Sequence, residues 1–342
     1  MLRKNLKVLA LALTFSAALF SGKAYASEPD PVQTQAETEI QDGLQKIDNK
    51  LFYYSSGKAL TNALQNVKGK IYYFSADGSA LTNVLQNVKG KLYFFSADGS
   101  AFTNTWKKIG KTKYYFGADG SAYSEKSVKI GDYYYIFGKD GKLSTGKKKR
   151  LVKIKDDRYY VDKKGRAIPG WSMNGKKVFY AKESGKLVTN KKVSYIRLDK
   201  NGYASNKYQG MAKIYAMKFI NKHTNENMTR KQKLKKCFKY ILKYRHYIAH
   251  YVTDRKASTT NGWQYKAACD LLCNERMEGN CRNFASSIAA IAKELGYKPV
   301  IYSLSWHSVV RIGNRWYDNM YGGRFCAKKK RHYNNYRKKF VF

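Results

Sequence analysis

Gly69-Lys70-Ile71-Tyr72-Tyr73-Phe74-Ser75-Ala76-Asp77-Gly78-Ser79-Ala80-Leu81-Thr82-Asn83 is echoed 21 residues on by Gly90-Lys91-Leu92-Tyr93-Phe94-Phe95-Ser96-Ala97-Asp98-Gly99-Ser100-Ala101-Phe102-Thr103-Asn104. The pattern continues in both directions. Turn glycines recur at Gly57, Gly78, Gly99, Gly120, Gly141, Gly165, Gly185 and Gly202, with spacings of 21, 21, 21, 21, 24, 20 and 17. Eight units with a fading period, from Gln45 to Asn206, predict a solenoid. Each unit reads as an aromatic strand, an Asp-Gly-type turn and a short second strand, hence a β-hairpin. A lone hairpin of this size is marginal in water, so stacking neighbours is what buries the aromatics.

Working outward, residues 1–26 read as a secretory signal peptide. Arg3, Lys4 and Lys7 precede an apolar run from Val8 to Phe20, and Ala24-Tyr25-Ala26 is a small-x-small cleavage site. An uncleaved anchor is the alternative, disfavoured because the run is short for a membrane span. Residues 27–44 carry five acidic side chains and no basic one, with Pro29 and Pro31, and read as a flexible linker. No second apolar segment of spanning length follows, so the mature chain is expected to be exported and not integral to a membrane.

Beyond Asn206 the pattern changes. Tyr208 to Phe219, Lys231 to Val252 and Trp263 to Cys273 have helical periodicity, and Thr229 is a candidate cap for the second of these. A helix from Cys281 to Leu295 follows, stopped by Gly296. Strands are then expected at Pro299 to Leu304, Trp306 to Ile312 and Arg315 to about Met320. Helices followed by antiparallel strands suggest an α+β domain over residues 207–342. A chain of 342 residues has room for both units.

The formal charge is +42. Gln45 to Asn206 holds 33 Lys and Arg against 12 Asp and Glu; Lys207 to Phe342 holds 29 against 7, seven of the basic residues in the segment from Lys328 to Lys339. In an intracellular protein such a balance would suggest nucleic acid. With an export signal, an anionic wall polymer is the better partner, and nucleic acid is not expected. A solvated basic face with no dedicated ligand is the plain alternative.

The chemistry-bearing stretch is Glu278-Gly279-Asn280-Cys281-Arg282-Asn283-Phe284-Ala285. Phe284, Ile288, Ile291, Ala292 and Leu295 recur at helical spacing, so Cys281 stands at a helix N-terminus, where unpaired N–H groups and the helix dipole favour a nucleophilic thiolate. His307 follows 26 residues later and Asp318 another 11. Gly313-Asn314 fits a two-residue hairpin turn, pairing Ile312 with Arg315, Arg311 with Trp316 and Val310 with Tyr317. In that register His307 and Asp318 share a face as diagonal neighbours, with Cα atoms roughly 7–8 Å apart. A carboxylate so disposed can orient an imidazole. Singly, a cysteine heading an apolar helix is more often a packed thiol and a strand histidine more often just hydrogen-bonded; the ordered set carries the reading. His223, His246, His250 and His332 have no such context. Cys237, Cys269, Cys273 and Cys326 could form zero, one or two disulfides. They offer no credible four-ligand zinc set, and neither a metal nor a cofactor is expected.

Two resemblances follow from these residues. The repeats resemble the cell-wall or choline-binding repeats of Gram-positive surface proteins, whose unit places one Trp after Thr-Gly and another before Tyr-Tyr. Leu64 and Leu85 stand at the first position, Ile71 and Leu92 at the second, and only Trp106 and Trp171 survive, which argues against choline specificity and leaves a wall polysaccharide, an anionic wall polymer or a spacer role as the alternatives. Gly279-Asn280-Cys281-x-x-Phe284-Ala285, Leu295-Gly296-Tyr297, Trp306-His307 and Arg315-Trp316-Tyr317-Asp318 resemble the core of transglutaminase-like cysteine enzymes. That resemblance implies a papain-like α+β domain in which Cys281 is the nucleophile, His307 its base and Asp318 the orienting carboxylate. It implies thiol acyl transfer on a peptide or glutamine-type amide, by hydrolysis or crosslinking, with the Cys281 N–H as one oxyanion donor. Many members carry extra residues before the acid, so a shifted register would hand that role to Asn319, and Trp263 is a candidate second oxyanion donor or a core residue. The expected whole is a β-hairpin repeat solenoid followed by an α+β transglutaminase-like domain, secreted and wall-associated. The alternative is a non-catalytic surface adhesin or scaffold.

Overall fold

The computed structural model describes residues 41–248, 262–303, 307–318, 322–328 and 338–342. The expected signal peptide and most of the expected linker lie outside the described residues. Gly43 and Leu44, assigned to the linker by sequence, already pair with Tyr54 and Tyr53 in the first hairpin.

Eight hairpins are present among the described residues. β1 (Gly43–Ile47) pairs with β2 (Lys50–Ser55), which also carries β3 (Lys58–Ala59). Next come β4 (Ala63–Val67) with β5 (Lys70–Phe74), β6 (Val84–Val88) with β7 (Lys91–Phe95), and β8 (Thr105–Ile109) with β9 (Thr112–Phe116). The rest are β10 (Lys126–Ile130) with β11 (Tyr133–Phe137), β12 (Arg150–Ile154) with β13 (Asp157–Val161), β14 (Gly170–Asn174) with β15 (Lys177–Ala181), and β16 (Lys192–Val193) with β17 (Ile196–Arg197).

The hairpin turn is not where the sequence pattern suggested. Lys68 and Gly69 both have positive φ, 51° and 84°, which is the backbone a tight hairpin turn requires, and Val67 pairs with Lys70 across them. Asp77-Gly78, the expected hairpin turn, closes only one bridge, between Phe74 and Ala80. The reason is chemical. Asp77 Oδ1 accepts from the Ser79 N–H at 3.0 Å and the Ser75 hydroxyl at 2.7 Å, curling the loop so that the chain leaves its own hairpin. The Ala80 N–H then donates to Leu51 O of the preceding unit at 2.7 Å, as Ala101 does to Ile71 and Ala122 to Leu92. Stacking buries Phe74, Phe95, Phe116, Phe137 and Phe179 completely. At Gly185 (φ +80°) a Cβ would lie 2.8 Å from Ala167 Cβ, so this turn needs glycine for both its backbone and its contact with the unit before.

Four helices follow: α1 (Lys207–His223), α2 (Arg230–Tyr244), α3 (Trp263–Leu272) and α4 (Cys281–Glu294). Asn206 caps α1 and Thr229 forms a capping box with Gln232 at α2. Helix α2 was expected to reach Val252 but ends at Tyr244, because Arg245 is extended and the chain turns into β18 (His246–Tyr247), parallel to β19 (Glu278–Gly279). Val252 lies outside the described residues. The remaining strands, β20 (Pro299–Ser303), β21 (Ser308–Ile312), β22 (Arg315–Asp318), β23 (Arg324–Ala327) and β24 (Lys338–Val341), form one antiparallel sheet in the order β23-β22-β21-β20-β24. The expected register of β21 on β22 is present, Ile312 opposite Arg315 through Val310 opposite Tyr317. The core joins α1, α2, α3 and the sheet around α4, whose Phe284, Ile288, Ile291 and Ala292 are buried. Among the described residues no helix is long and apolar enough to cross a membrane.

Candidate functional site

Gly279-Asn280-Cys281 is explained atom by atom. Asn280 caps α4: its Oδ1 accepts from the N–H of Arg282 at 3.1 Å and of Asn283 at 3.4 Å. Asn283 returns the bond, its Oδ1 accepting from the Asn280 N–H at 3.1 Å, and its Nδ2 donates to Ala267 O on α3 at 3.1 Å. Asn283 therefore locks the turn before Cys281 to the neighbouring helix. Gly279 is there for space: a Cβ would lie 2.8 Å from Asn283 Cβ and 3.2 Å from Leu271 Cδ1. Cys281 is thereby fixed as the first residue of α4, at the positive end of the helix dipole.

The opposite wall comes from the sheet. His307 immediately precedes β21 and Asp318 ends β22. His307 Nε2 and Asp318 Oδ2 are 3.2 Å apart, and the ring also hydrogen-bonds to Cys281. Cys281, His307 and Asp318 are 7%, 2% and 4% exposed. The structure brings the three residues singled out from sequence together. Burial pushes the His307 pKa down, but hydrogen bonds to Asp318 and Cys281, together with their charge, outweigh it and bring it up to about 9. Chemically, the arrangement pairs a nucleophile with a proton carrier held by a carboxylate.

Asn319 lies outside the described residues, as do Trp306, His250 and His332. His223 packs against Phe219 and Tyr240, with ring centroids 4.4 and 3.8 Å away, and burial lowers its pKa. His246 is exposed on β18. Trp263 is a core residue, edge-on to Phe340 at 5.2 Å, and its Nε1 has no hydrogen-bond partner among the described residues. None of the five cysteines is in a disulfide, and burial pushes the Cys237 thiol up to about 12.

The sequence reading missed one positioning device. Trp316 pairs with Ala327 but Asp318 with Arg324, a shift of one residue, and Cys326 between them has φ 61°. This is a β-bulge, which bends the edge strand beside Asp318. No local signature marks it, since a bulge depends on what lies across the ladder.

Along the repeats both tryptophans face a lysine. Lys113 Nζ lies 4.3 Å from the Trp106 ring centroid and Lys213 Nζ 5.2 Å from that of Trp171. The choline-binding repeat family matches residues 60–106, and the cell wall binding repeat family matches residues 104–122. Residues 60–122 thus match repeats of the choline-binding, cell-wall-binding type. Among solved structures, the chain is similar to choline binding protein F from Streptococcus pneumoniae, at 24% identity over 48% of this chain and 58% of that one, with a TM-score of 0.35. It is also similar to the modular autolysin LytC from Streptococcus pneumoniae, at 21% identity over 44% of this chain and 39% of that one, TM-score 0.29. A third is the cell wall endolysin from phage Cp-1, at 23% identity over 37% and 36%, TM-score 0.27. The chain thus spans less than two thirds of the length of each. No curated protein matches it.

Proposed function

We propose that this protein is an exported, cell-wall-associated, transglutaminase-like cysteine enzyme whose repeats hold it at the envelope through a wall polysaccharide or anionic polymer. The observation that carries the reading is the convergence of Cys281 at a helix N-terminus, His307 bonded to it, and Asp318 3.2 Å behind the ring. In the reaction, Cys281 Sγ attacks the carbonyl carbon of a peptide or glutamine-type amide while His307 holds the thiol proton. The Cys281 N–H faces the oxyanion. His307 then delivers its proton to the leaving nitrogen, the C–N bond breaks, and a thioester remains. Water releases an acid; a lysine amine in its place makes a crosslink.

Iodoacetamide labelling with peptide mapping tests this. Cys281 should label faster than exposed Cys273 despite its burial, and His307→Ala should abolish that preference. Slow labelling at Cys281 that His307→Ala leaves unchanged would point to the rival reading, a surface adhesin or scaffold whose second domain only binds.

A further inference from the structure

Helix α2 carries a basic face that neither the candidate site nor the repeats account for. Its 15 residues hold seven Lys and Arg and no acid. Leu234, Cys237, Phe238 and Ile241 bury one side of it in the core. On the outer side Lys231, Lys235 and Lys239 follow one another four apart, with Lys236 beside them, all exposed and engaged by no ion pair among the described residues. Between these lysines and Met228, a half-buried residue just before the helix, runs a slot of about 230 Å³ walled by the methionine, Gln232 and the lysine stems. Lysine stems are apolar and their heads are charged, so an apolar slot here has an ammonium rim. That shape fits an apolar side chain with carboxylates beside it. A polyanion offering charge alone would meet the rim and leave the slot unused.

We infer that this face docks the acidic N-terminal segment, residues 27–40, of a second copy of this chain. Charge complementarity argues for the occupant. Of the segments outside the described residues, 27–40 alone is net negative, with Glu28, Asp30, Glu37 and Glu39 against no Lys or Arg; residues 1–26, 249–261 and 329–337 are net positive, and 304–306 and 319–321 carry no charge. Asp42 is not part of the docking charge, because its carboxylate already accepts from the Ser56 and Gly57 N–H groups at 2.8 and 3.1 Å. Glu37-Thr38-Glu39-Ile40 sets an apolar side chain directly after two acids, which is what the slot and its rim require. The segment joins the fold at the first hairpin, whereas α1 packs against the seventh, where a Cβ on Gly210 would lie 3.0 Å from Val178 Cβ. Segment and α2 are thus attached at opposite ends of the hairpin stack, and a neighbouring copy brings them together. Such a head-to-tail contact joins unlike surfaces, so it extends from copy to copy and does not close on a two-fold axis.

The test treats a mixture of isotope-labelled and unlabelled exported chain, residues 27–342, with a carbodiimide, which joins a carboxylate to an adjacent amine, and maps the joined peptides. Amide bonds should link Glu37 or Glu39 to Lys235, Lys236 or Lys239 and include pairs of labelled with unlabelled copies. Bonds confined to single copies, or bonds reaching Lys108 and Lys111 of the repeats as often as α2, overturn the inference. In sedimentation, self-association should weaken as salt rises, and Lys235→Ala/Lys239→Ala should weaken it roughly tenfold. Lys108→Ala/Lys111→Ala removes the same charge from exposed positions of the repeats and should change it by less than about twofold. An equal loss in both variants would reduce the contact to net charge and overturn the inference. Met228→Gln keeps every charge and should still weaken association; no change there contradicts the slot. If no bonds reach α2 and phosphatidylglycerol vesicles bind in a way that Lys235→Ala/Lys239→Ala abolishes, the face belongs to a lipid surface and the inference fails. None of these readouts involves Cys281, so failure here is distinguishable from failure of the proposed function.

Discussion

Asp318 holds His307 protonated by charge and hydrogen bonding, against the burial that would neutralise it. Asp318→Asn keeps the shape and removes the charge, so burial should then dominate. Followed by NMR, the His307 ring of the unaltered protein should titrate near 9, and in the variant at or below the ordinary 6.5. A midpoint near 6.5 in the unaltered protein would contradict the bond to Asp318. The sign for stability follows. A folded-state pKa raised from 6.5 to about 9 contributes stability that is complete below about 6.5 and lost as pH rises through about 9. Thermal midpoints should therefore fall between neutral pH and pH above 9 in the unaltered protein, and less so in Asp318→Asn.

At the scale of the element, α4 depends on Asn280 for its first turn, and stability and reactivity can be separated there. Asn280→Ala loses the bonds to the Arg282 and Asn283 N–H groups and should cost about 1 kcal/mol, with slower alkylation of Cys281. Asn280→Asp keeps the acceptor and adds a negative charge that favours the helix but opposes a thiolate. Thermal unfolding should show Asp recovering the stability that Ala loses, while labelling stays slow; fast labelling in the Asp variant would mean that charge at the helix N-terminus does not govern Cys281. The helix start at Cys281 and the register were legible because both are local: the spacing from Phe284 to Leu295 marks the helix, and Gly313-Asn314 sets which residues of β21 and β22 face each other, whereas the Asn280–Asn283 capping box was not read from the sequence. The hairpin turns misled because Asp77-Gly78 and Lys68-Gly69 are both turns, and only contact with the previous unit decides which closes the hairpin. The Cys326 bulge and the tie from Asn283 to Ala267 were illegible for the same reason.

At the scale of the molecule, the repeats are built onto the helices that carry the site. Lys213 of α1 and Glu294, the last residue of α4, form an ion pair at 2.7 Å with both side chains 7% exposed. The Tyr195 hydroxyl of the last hairpin donates to the same carboxylate, and the Trp171 and Tyr195 rings lie 5.2 and 4.9 Å from Lys213 Nζ. Burial and Glu294 raise the Tyr195 pKa far above its ordinary value, so it stays a donor. The joint therefore links the hairpin stack to the helix whose other end is Cys281. Breaking one side leaves a buried charge without its partner, so Glu294→Gln should cost about 3–5 kcal/mol. Replacing both by apolar groups, Lys213→Met with Glu294→Leu, should cost much less than either change alone. In a background with Trp263, Trp306 and Trp316 replaced by Phe, the remaining fluorescence, that of Trp106 and Trp171, follows the repeats, and far-ultraviolet dichroism follows the helices. The two probes should melt together in that background and separate when Glu294→Gln is added; coincident melting in that variant would show that the hairpins and helices are coupled elsewhere.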